Sequence, residues 1–417
     1  MGEKVIKPPV IVLGGGANAI SIARSLGRQG IKVYSLNYPE SYVRFSRYSE
    51  WISTAPDNGI EESWARFLLS SESDYLRGAV LLTGSDYGIE FIALNRDELQ
   101  KKFILDISRK DIQMCLLEKL CTYERAAEAG IPTPQFWKAE NLGQVLRYEK
   151  SYVYPLIVKP LYSHKFENIF DRKYFLVNNF NELLKIYTKV NQFDIAVMLV
   201  EKIIGPDDKL CSYYTYIDEN GEALFDFTKR IIRRFPRNEG GACYHITDWN
   251  PEVRDLALEY LKHVQLIGLA NIEFKRDDKD GKLKLIECNA RFTAADCLVA
   301  KSGFDLAIFV YNRLVGRSQA TLKGKRYKEG LHLWLPREDF ASFKELRERD
   351  ELVFIEWIRG LMHPQVLPYF RWYDPIPTIV FESRRIFRFI KKRLARFFSL
   401  QKTPIQLKKS EHDPERP

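Results

Sequence analysis

At 417 residues and 45% hydrophobic content, the chain can bury a large core and is expected to divide into two or three domains. No uninterrupted apolar stretch approaches the roughly 20 residues that cross a bilayer, and the opening MGEKVIKPP holds no apolar signal core, so the expected location is cytoplasmic. The net charge of +9 does not describe a nucleic-acid surface: Arg384 to Arg396 hold seven basic and no acidic residues, which leaves +2 for everything else.

Residues 1–110 alternate strand and helix. VIVLGGG reads as a buried strand running into a glycine turn, ANAISIARSLGRQG as a helix ended by Gly30, and KVYSLNY as a second strand. A helical stretch around Ser63 to Ser71 precedes AVLLTGSD, a third strand. The pattern is that of an open parallel sheet with crossover helices, whose ligands sit beyond the carboxyl ends of the strands. Gly14, Gly15, Gly16 and Asp86 fall at such ends. Gly14-x-Gly16-x-x-Ala19 fits the dinucleotide fingerprint formally, but Asn37 stands where that fingerprint wants a ribose-binding acid. The expectation is therefore a turn that offers backbone N–H groups to some other anion.

From Asp111 the character changes to α+β. Asp111 to Gly130 reads as helix, and YPLIVKP as an apolar strand carrying Lys159. LYSHKFENIFDRKY reads as a polar, mobile loop, Asn181 to Lys189 as a helix, and AVMLVEKIIGPDD as a strand. A hairpin follows around Asn220-Gly221. In FTKRIIRR, alternation puts Lys229, Ile231 and Arg233 on one face and Arg230, Ile232 and Arg234 on the other. The six cysteines (115, 121, 211, 243, 288, 297) show no C-x-x-C spacing and read as reduced core residues.

The most telling stretch is GLANIEFKRDDKDGKLKLIECNARF, from Gly268 to Phe292, two apolar strands joined by a turn at Asp280-Gly281. Alternation puts Glu287, Asn289 and Arg291 on one face of the second strand, with Ile286, Cys288 and Ala290 on the other. The hairpin brings Glu273 beside that face. Two carboxylates and an amide oxygen suit a hard cation such as Mg²⁺, or Mn²⁺, which completes its shell with water and phosphate oxygens. Arg291 could hold a phosphate or a carboxylate bidentately.

Beyond residue 320, LHLWLPREDF and EWIRGLMHP suggest an accessory helical region. In RIFRFIKKRLARFFSL a stripe of Ile386, Phe389 or Ile390, Leu394 and Phe397 lies among the seven cations, which suits either an anionic membrane surface or docking on the protein itself. SEHDPERP reads as disordered.

Taken in order, Glu118-Lys119 before AGIPTP, IVKP, VEKIIGPDD, FTKRIIRR, NIEFKRD and IECNARF resemble the ATP-grasp superfamily over roughly Asp111 to Gly316. AISIARSLG, Ser85-Asp86 and Gly303-Phe304-Asp305-Leu306 resemble its carboxylate–amine ligase group, the D-aspartate ligase-like and carbamoyl-phosphate-synthase-like proteins. The resemblance implies three parts: a parallel α/β domain over 1–110, an ATP-grasp domain over 111–320, and an accessory region over 321–417. It implies ATP and Mg²⁺, with Lys119 and Lys159 on phosphates and the backbone of Glu201, Lys202, Ile203 and Ile204 on the adenine. Asp208 is favoured over Asp207 for the ribose. Glu273, Glu287 and Asn289 would hold the metal, and Arg291, Lys229 and Arg233 would act on the transferred group. Gly15, Gly16 and Asp86 would border the acceptor. The implied reaction activates a small-molecule carboxylate as an acylphosphate and joins it to an amine or ammonia. Such chemistry rests on positioning and charge and needs no protein nucleophile. A non-catalytic nucleotide-binding protein, brought to an anionic membrane by the basic helix, is the alternative.

Overall fold

The computed structural model describes residues 7–53, 59–316 and 322–400, without the side chains of 163–165, 168, 389 and 392–400. SEHDPERP, and the side chains of Phe389, Leu394 and Phe397, lie outside the described residues. Three sheets organise the chain. The first holds β1 (Val10–Leu13), β2 (Val33–Leu36), β3 (Glu50–Trp51) and β4 (Val80–Thr83), parallel throughout in the order β3-β2-β1-β4. β1 is buried on both faces by helices, as an all-apolar VIVL strand requires.

The second sheet is antiparallel: β5 (Phe136–Lys138), β6 (Leu156–Pro160), β7 (Phe175–Val177) and β8 (Val197–Glu201), in the order β5-β8-β6-β7. The segment expected as a loop after β6 contains a helix, Ser163–Phe170. Its polar composition hides two aromatics one turn apart: fully buried Phe166 packs 4.7 Å from Phe170, and both meet Phe175. Burial of those rings supplies what propensity does not.

The third sheet has seven strands in the order β13-β12-β9-β10-β11-β14-β15. They are β9 (Leu210–Ile217), β10 (Phe227–Phe235), β11 (Gly241–Thr247), β12 (Gly268–Arg276), β13 (Leu283–Asn289), β14 (His332–Trp334) and β15 (Gln365–Val366). The last two lie in the accessory region beyond residue 320, where they extend this sheet beside the expected helices, Pro336–Arg347 and Phe354–Leu361. The first sheet shares a continuous core with the third, through residues such as Val10, Ile20, Tyr214, Phe292 and Leu333. Among the described residues, no helix is long and apolar enough to cross a membrane.

The stretch Asp111 to Gly130 is two helices, Lys110–Leu117 and Lys119–Glu128, because Glu118 is extended (φ −85°, ψ 116°). In one continuous helix, residues six apart would point in widely different directions. The break instead brings Cys115 and Cys121 to a Cα separation of 5.3 Å, and they form a disulfide. This corrects the reading of all six cysteines as reduced; the other four are free and buried.

Candidate active site

Across the third sheet runs a row of facing residues. Lys229 on β10 pairs in register with Ser212 on β9, Ser212 with Glu273 on β12, and Glu273 with Glu287 on β13. Neighbouring strands lie about 4.8 Å apart, so one cation and two carboxylates stand in a line a few strand spacings long. Lys229 donates to Ser212 Oγ at 3.1 Å. The row faces a cavity of about 240 Å³ between the second and third sheets, and a second cavity of about 130 Å³ adjoins it at Lys119, Lys173 and Glu287.

The surroundings push the two carboxylates in opposite directions. Burial works against ionised Glu287, but Lys119, 3.3 Å away, and Lys159 outweigh it and hold the carboxyl well below the usual range. Glu273 is pushed up, first by burial and then by Glu287 opposite, with Lys229 and Arg234 opposing. Two acids on adjacent strands repel unless a cation lies between them. Asn289 Nδ2 donates to Glu287 Oε1 and to Asn271 Oδ1, both at 3.3 Å, while Asn289 Oδ1 accepts from Arg291 at 3.0 Å. Among the described residues no cluster of three or more His, Cys, Asp or Glu could hold a metal. A divalent ion here would thus draw on two carboxylates and an amide oxygen, and would need further oxygens from water or phosphate.

A β-bulge changes one expectation for β13. Glu273 faces Glu287 and Phe274 faces Leu285, so Ile286 is the extra residue. Cys288 packs in the core but, with Ala290, also borders the smaller cavity, and Ile286 lines both cavities and does not point away. Its carbonyl accepts from the Tyr123 hydroxyl (3.1 Å) and from Lys159 Nζ (3.4 Å), and Lys159 also donates to that hydroxyl. Burial pushes Lys159 down to about 8.

β10 departs further. Its register with β11 shifts between Ile231 and Arg233 and again between Arg233 and Arg234. One inserted residue reverses the faces that follow it. Lys229 and Ile231 line the cavity as expected; Arg234 lines it too, and Arg233 does not. Arg233 instead binds buried Asp339 through Nε (2.6 Å) and NH2 (3.1 Å), and its guanidinium lies over the Tyr244 ring at 4.3 Å. Asp339 is further held by Trp334 and Trp357. This corrects the placement of Arg233 among the residues that face the reacting group.

At the end of β8, Glu201, Lys202 and Ile203 line the cavity, and Ile204 does not. The N–H groups of Glu201, Lys202 and Ile204 bond to Gln135 O, Pro155 O and Asp277 Oδ1. That of Ile203, a residue 7% exposed, has no partner among the described residues. A buried orphan donor beside an apolar wall of Ile157, Val200 and Ile286 suits the edge of a planar heterocycle. Seven cations and four carboxylates line the same cavity, and Glu201 is already paired with Lys279 at 2.7 Å, so the surplus favours a polyanion. Asp208 is exposed and outside the cavity. Asp207 is buried, accepts from the N–H of Asn238 at 3.1 Å, and lies 3.8 Å from Arg234, so it is the aspartate nearer the cavity wall.

Asp86 and Arg291 meet at 2.5 Å in the smaller cavity. Gly15 and Gly16 line neither cavity. The Gly16 N–H is taken by Asn18 Oδ1 at 2.8 Å, so the glycine turn does not present it to an anion. Asn18 Nδ2 also donates to Gly84 O (2.6 Å) and Phe292 O (2.8 Å), and thereby ties the first sheet to the strand end that carries Arg291. Sequence reasoning missed Asn18, Asn271, Lys173, Arg234 and Lys275. Asn271 was open to it, since it stands two residues before Glu273 on the same face; Lys173 lay in the segment read as a loop.

No family model matches the chain. The fold is the ATP-grasp fold expected from the sequence. It is similar to the biotin carboxylase domain of 2-oxoglutarate carboxylase from Hydrogenobacter thermophilus, solved with MgADP, ADP and bicarbonate (TM-score 0.58, 19% identity, 76% of this chain and 72% of that one). It is also similar to L-amino acid ligase from Bacillus licheniformis (TM-score 0.56, 17% identity, 75% and 77%). Among curated proteins, it is similar to D-aspartate ligase from Enterococcus faecium, 23% identical over 362 residues that span 82% of this chain and 86% of the relative.

Proposed function

We propose that the protein is an ATP-dependent ligase that phosphorylates a substrate carboxylate and joins the resulting acyl group to an amine. The supporting observation is the row Lys229–Ser212–Glu273–Glu287 facing a cation-rich cavity with an orphan hinge N–H. The carboxylate oxygen takes the γ-phosphoryl of ATP, releasing ADP; the amine then attacks the acyl carbon, and phosphate leaves. Bound Mg²⁺ supplies charge neutralisation of the phosphates and would be held by Glu273, Glu287 and Asn289. The hinge from Glu201 to Ile203 receives the adenine. Lys119 and Lys159 carry phosphates, and Lys229 and Arg234 bring positive charge to the transferred group from the opposite wall. Arg291, fixed by Asp86 and Asn289, orients a carboxylate in the smaller cavity.

The test is an ADP-release screen over amino and hydroxy acids with paired amines, beginning with D-aspartate because of the Enterococcus relative. ADP release that needs both a carboxylate and an amine supports the reading. Full turnover in Glu287→Gln, or release indifferent to every carboxylate, overturns it.

A second reading concerns location. Helix Ile376–Leu400 docks through Phe381, stacked 4.0 Å from Tyr42, and through Arg384 over Phe45. Ile376, Ile379, Ile386 and Ile390 follow a three-four spacing and stay about half exposed. With seven cations and no acid from Arg384 to Arg396, that stripe fits an anionic membrane surface better than a second copy of itself. Flotation with phosphatidylglycerol vesicles that is lost on removal of 384–417 is the expected result; equal flotation without them refutes it.

A further inference from the structure

A cavity of about 410 Å³ lies between helix Ala17–Arg28, helix Asp296–Ser302 and the segment following β15, and shares no lining residue with the two cavities of the active site. Four cations line it. Arg24 is committed: its Nε meets Asp374 Oδ2 at 2.8 Å and its NH2 donates to Asp374 O at 2.8 Å. Arg28, Lys301 and Arg371 have no carboxylate partner among the described residues. Arg28 lies over the Tyr373 ring at 4.7 Å, and Arg371 donates to the carbonyls of Leu367 and Phe370. The one carboxylate of the lining, Asp305, accepts from the Ile308 N–H at 3.2 Å as a helix cap.

Three cations without an ion pair, only one of them (Arg28) in the field of a lining carboxylate, Asp305, repel each other around one concavity and are stabilised together by a multiply charged anion. Guanidinium forks match phosphate oxygens in particular. The same cavity is walled by aromatics: Trp372 is 87% exposed, far more than an indole in a folded core, and stands edge-on to Phe370 at 4.8 Å. An indole and a phenol beside a phosphate-type site provide stacking faces for a planar ring.

We propose that this cavity is a second ligand site, selective for a phosphate-bearing molecule with a planar ring, of the nucleoside monophosphate class. The phosphate meets Arg28, Lys301 and Arg371, and the ring lies against Trp372 and Tyr373. The site rests on its own lining; only the use of MgADP to block the cleft in the test draws on the ligase reading.

The full chain, with its catalytic cleft filled by saturating MgADP, is titrated with uridine monophosphate and adenosine monophosphate, then with inorganic phosphate and with uridine, by calorimetry and tryptophan fluorescence. Saturable binding of the monophosphates is expected, with the fluorescence change absent in Trp372→Leu. Phosphate alone binds at least tenfold more weakly and competes; uridine alone does not bind. Arg28 and Lys301 are exposed on helix surfaces, so Arg28→Ala/Lys301→Ala keeps its fold, checked by circular dichroism, and weakens monophosphate binding at least tenfold. No saturable binding, binding unchanged in that double variant, or binding abolished by MgADP overturns the proposal. Phosphate binding as tightly as the monophosphates overturns the ring half of it.

Discussion

β13 and β10 belong to one sheet, carry dense polar sequences, and treat the rule of alternating faces differently. In β13 the bulge at Ile286 precedes the polar residues, so Glu287, Asn289 and Arg291 keep a common side. In β10 the shift falls inside the basic cluster, and Arg234 moves to the cavity while Arg233 is drawn to Asp339. Alternation therefore transmits function only across a stretch whose register is unbroken. A strand's turn partners and long-range ion pairs decide where the break comes.

The largest expected effect separates the two arginines of β10. Arg233→Met leaves Asp339 buried and uncompensated and is expected to lower stability by about 3–5 kcal/mol, whereas Arg234→Met, which loses a longer 3.8 Å contact with Asp207 and a bond to Gly240 O, should lower the denaturation midpoint less and reduce kcat/KM more. The reverse pattern in urea unfolding and ADP-release assays would restore the simple alternation. On β13, Glu287→Gln is expected to lower kcat by about 10²–10³-fold, the scale of losing one preorganised charge interaction in a transition state, with the fold intact by circular dichroism. Gly240 sharpens the contrast, since a Cβ there would sit 1.7 Å from Phe235 O and 2.0 Å from its carbonyl carbon, both backbone atoms that cannot step aside. Gly240→Ala should cost about 1–3 kcal/mol and, because Arg234 Nε donates to Gly240 O at 2.8 Å, should also weaken nucleotide binding.

The smallest effect is one of pH. Burial holds Lys159 and Lys275 at about 8, against 10.5 in an unfolded chain. Between those values the unfolded chain binds more protons, so the ligand-free protein gains stability as pH rises above 8. Nucleotide affinity runs the other way: a phosphate needs the charged lysine, and one unit above its pKa only about a tenth of it remains charged. Calorimetry in buffers of different ionisation enthalpy should show proton uptake on nucleotide binding near pH 8.5 and about tenfold weaker binding at pH 9 than at pH 7. A flat profile would separate Lys159 from the phosphates.

The sequence by itself determined the parallel sheet at the start and the β12–β13 hairpin that brings Glu273 beside the polar face, because each follows from short-range periodicity and turn chemistry that no distant contact overrides; the bulge at Ile286 is what sets Glu273 opposite Glu287. Asp86 was legible only as a residue at a strand end. Its bond to Arg291, 205 positions away, is a product of packing the first sheet on the third. Tertiary structure alone decided that Arg234 and not Arg233 faces the cavity, that a polar stretch becomes a helix around Phe166 and Phe170, and that Cys115 reaches Cys121. In each case burial or an inserted residue outweighs local preference. A register shift costs one ladder position, while an unpaired buried charge or an exposed aromatic cluster costs several times more.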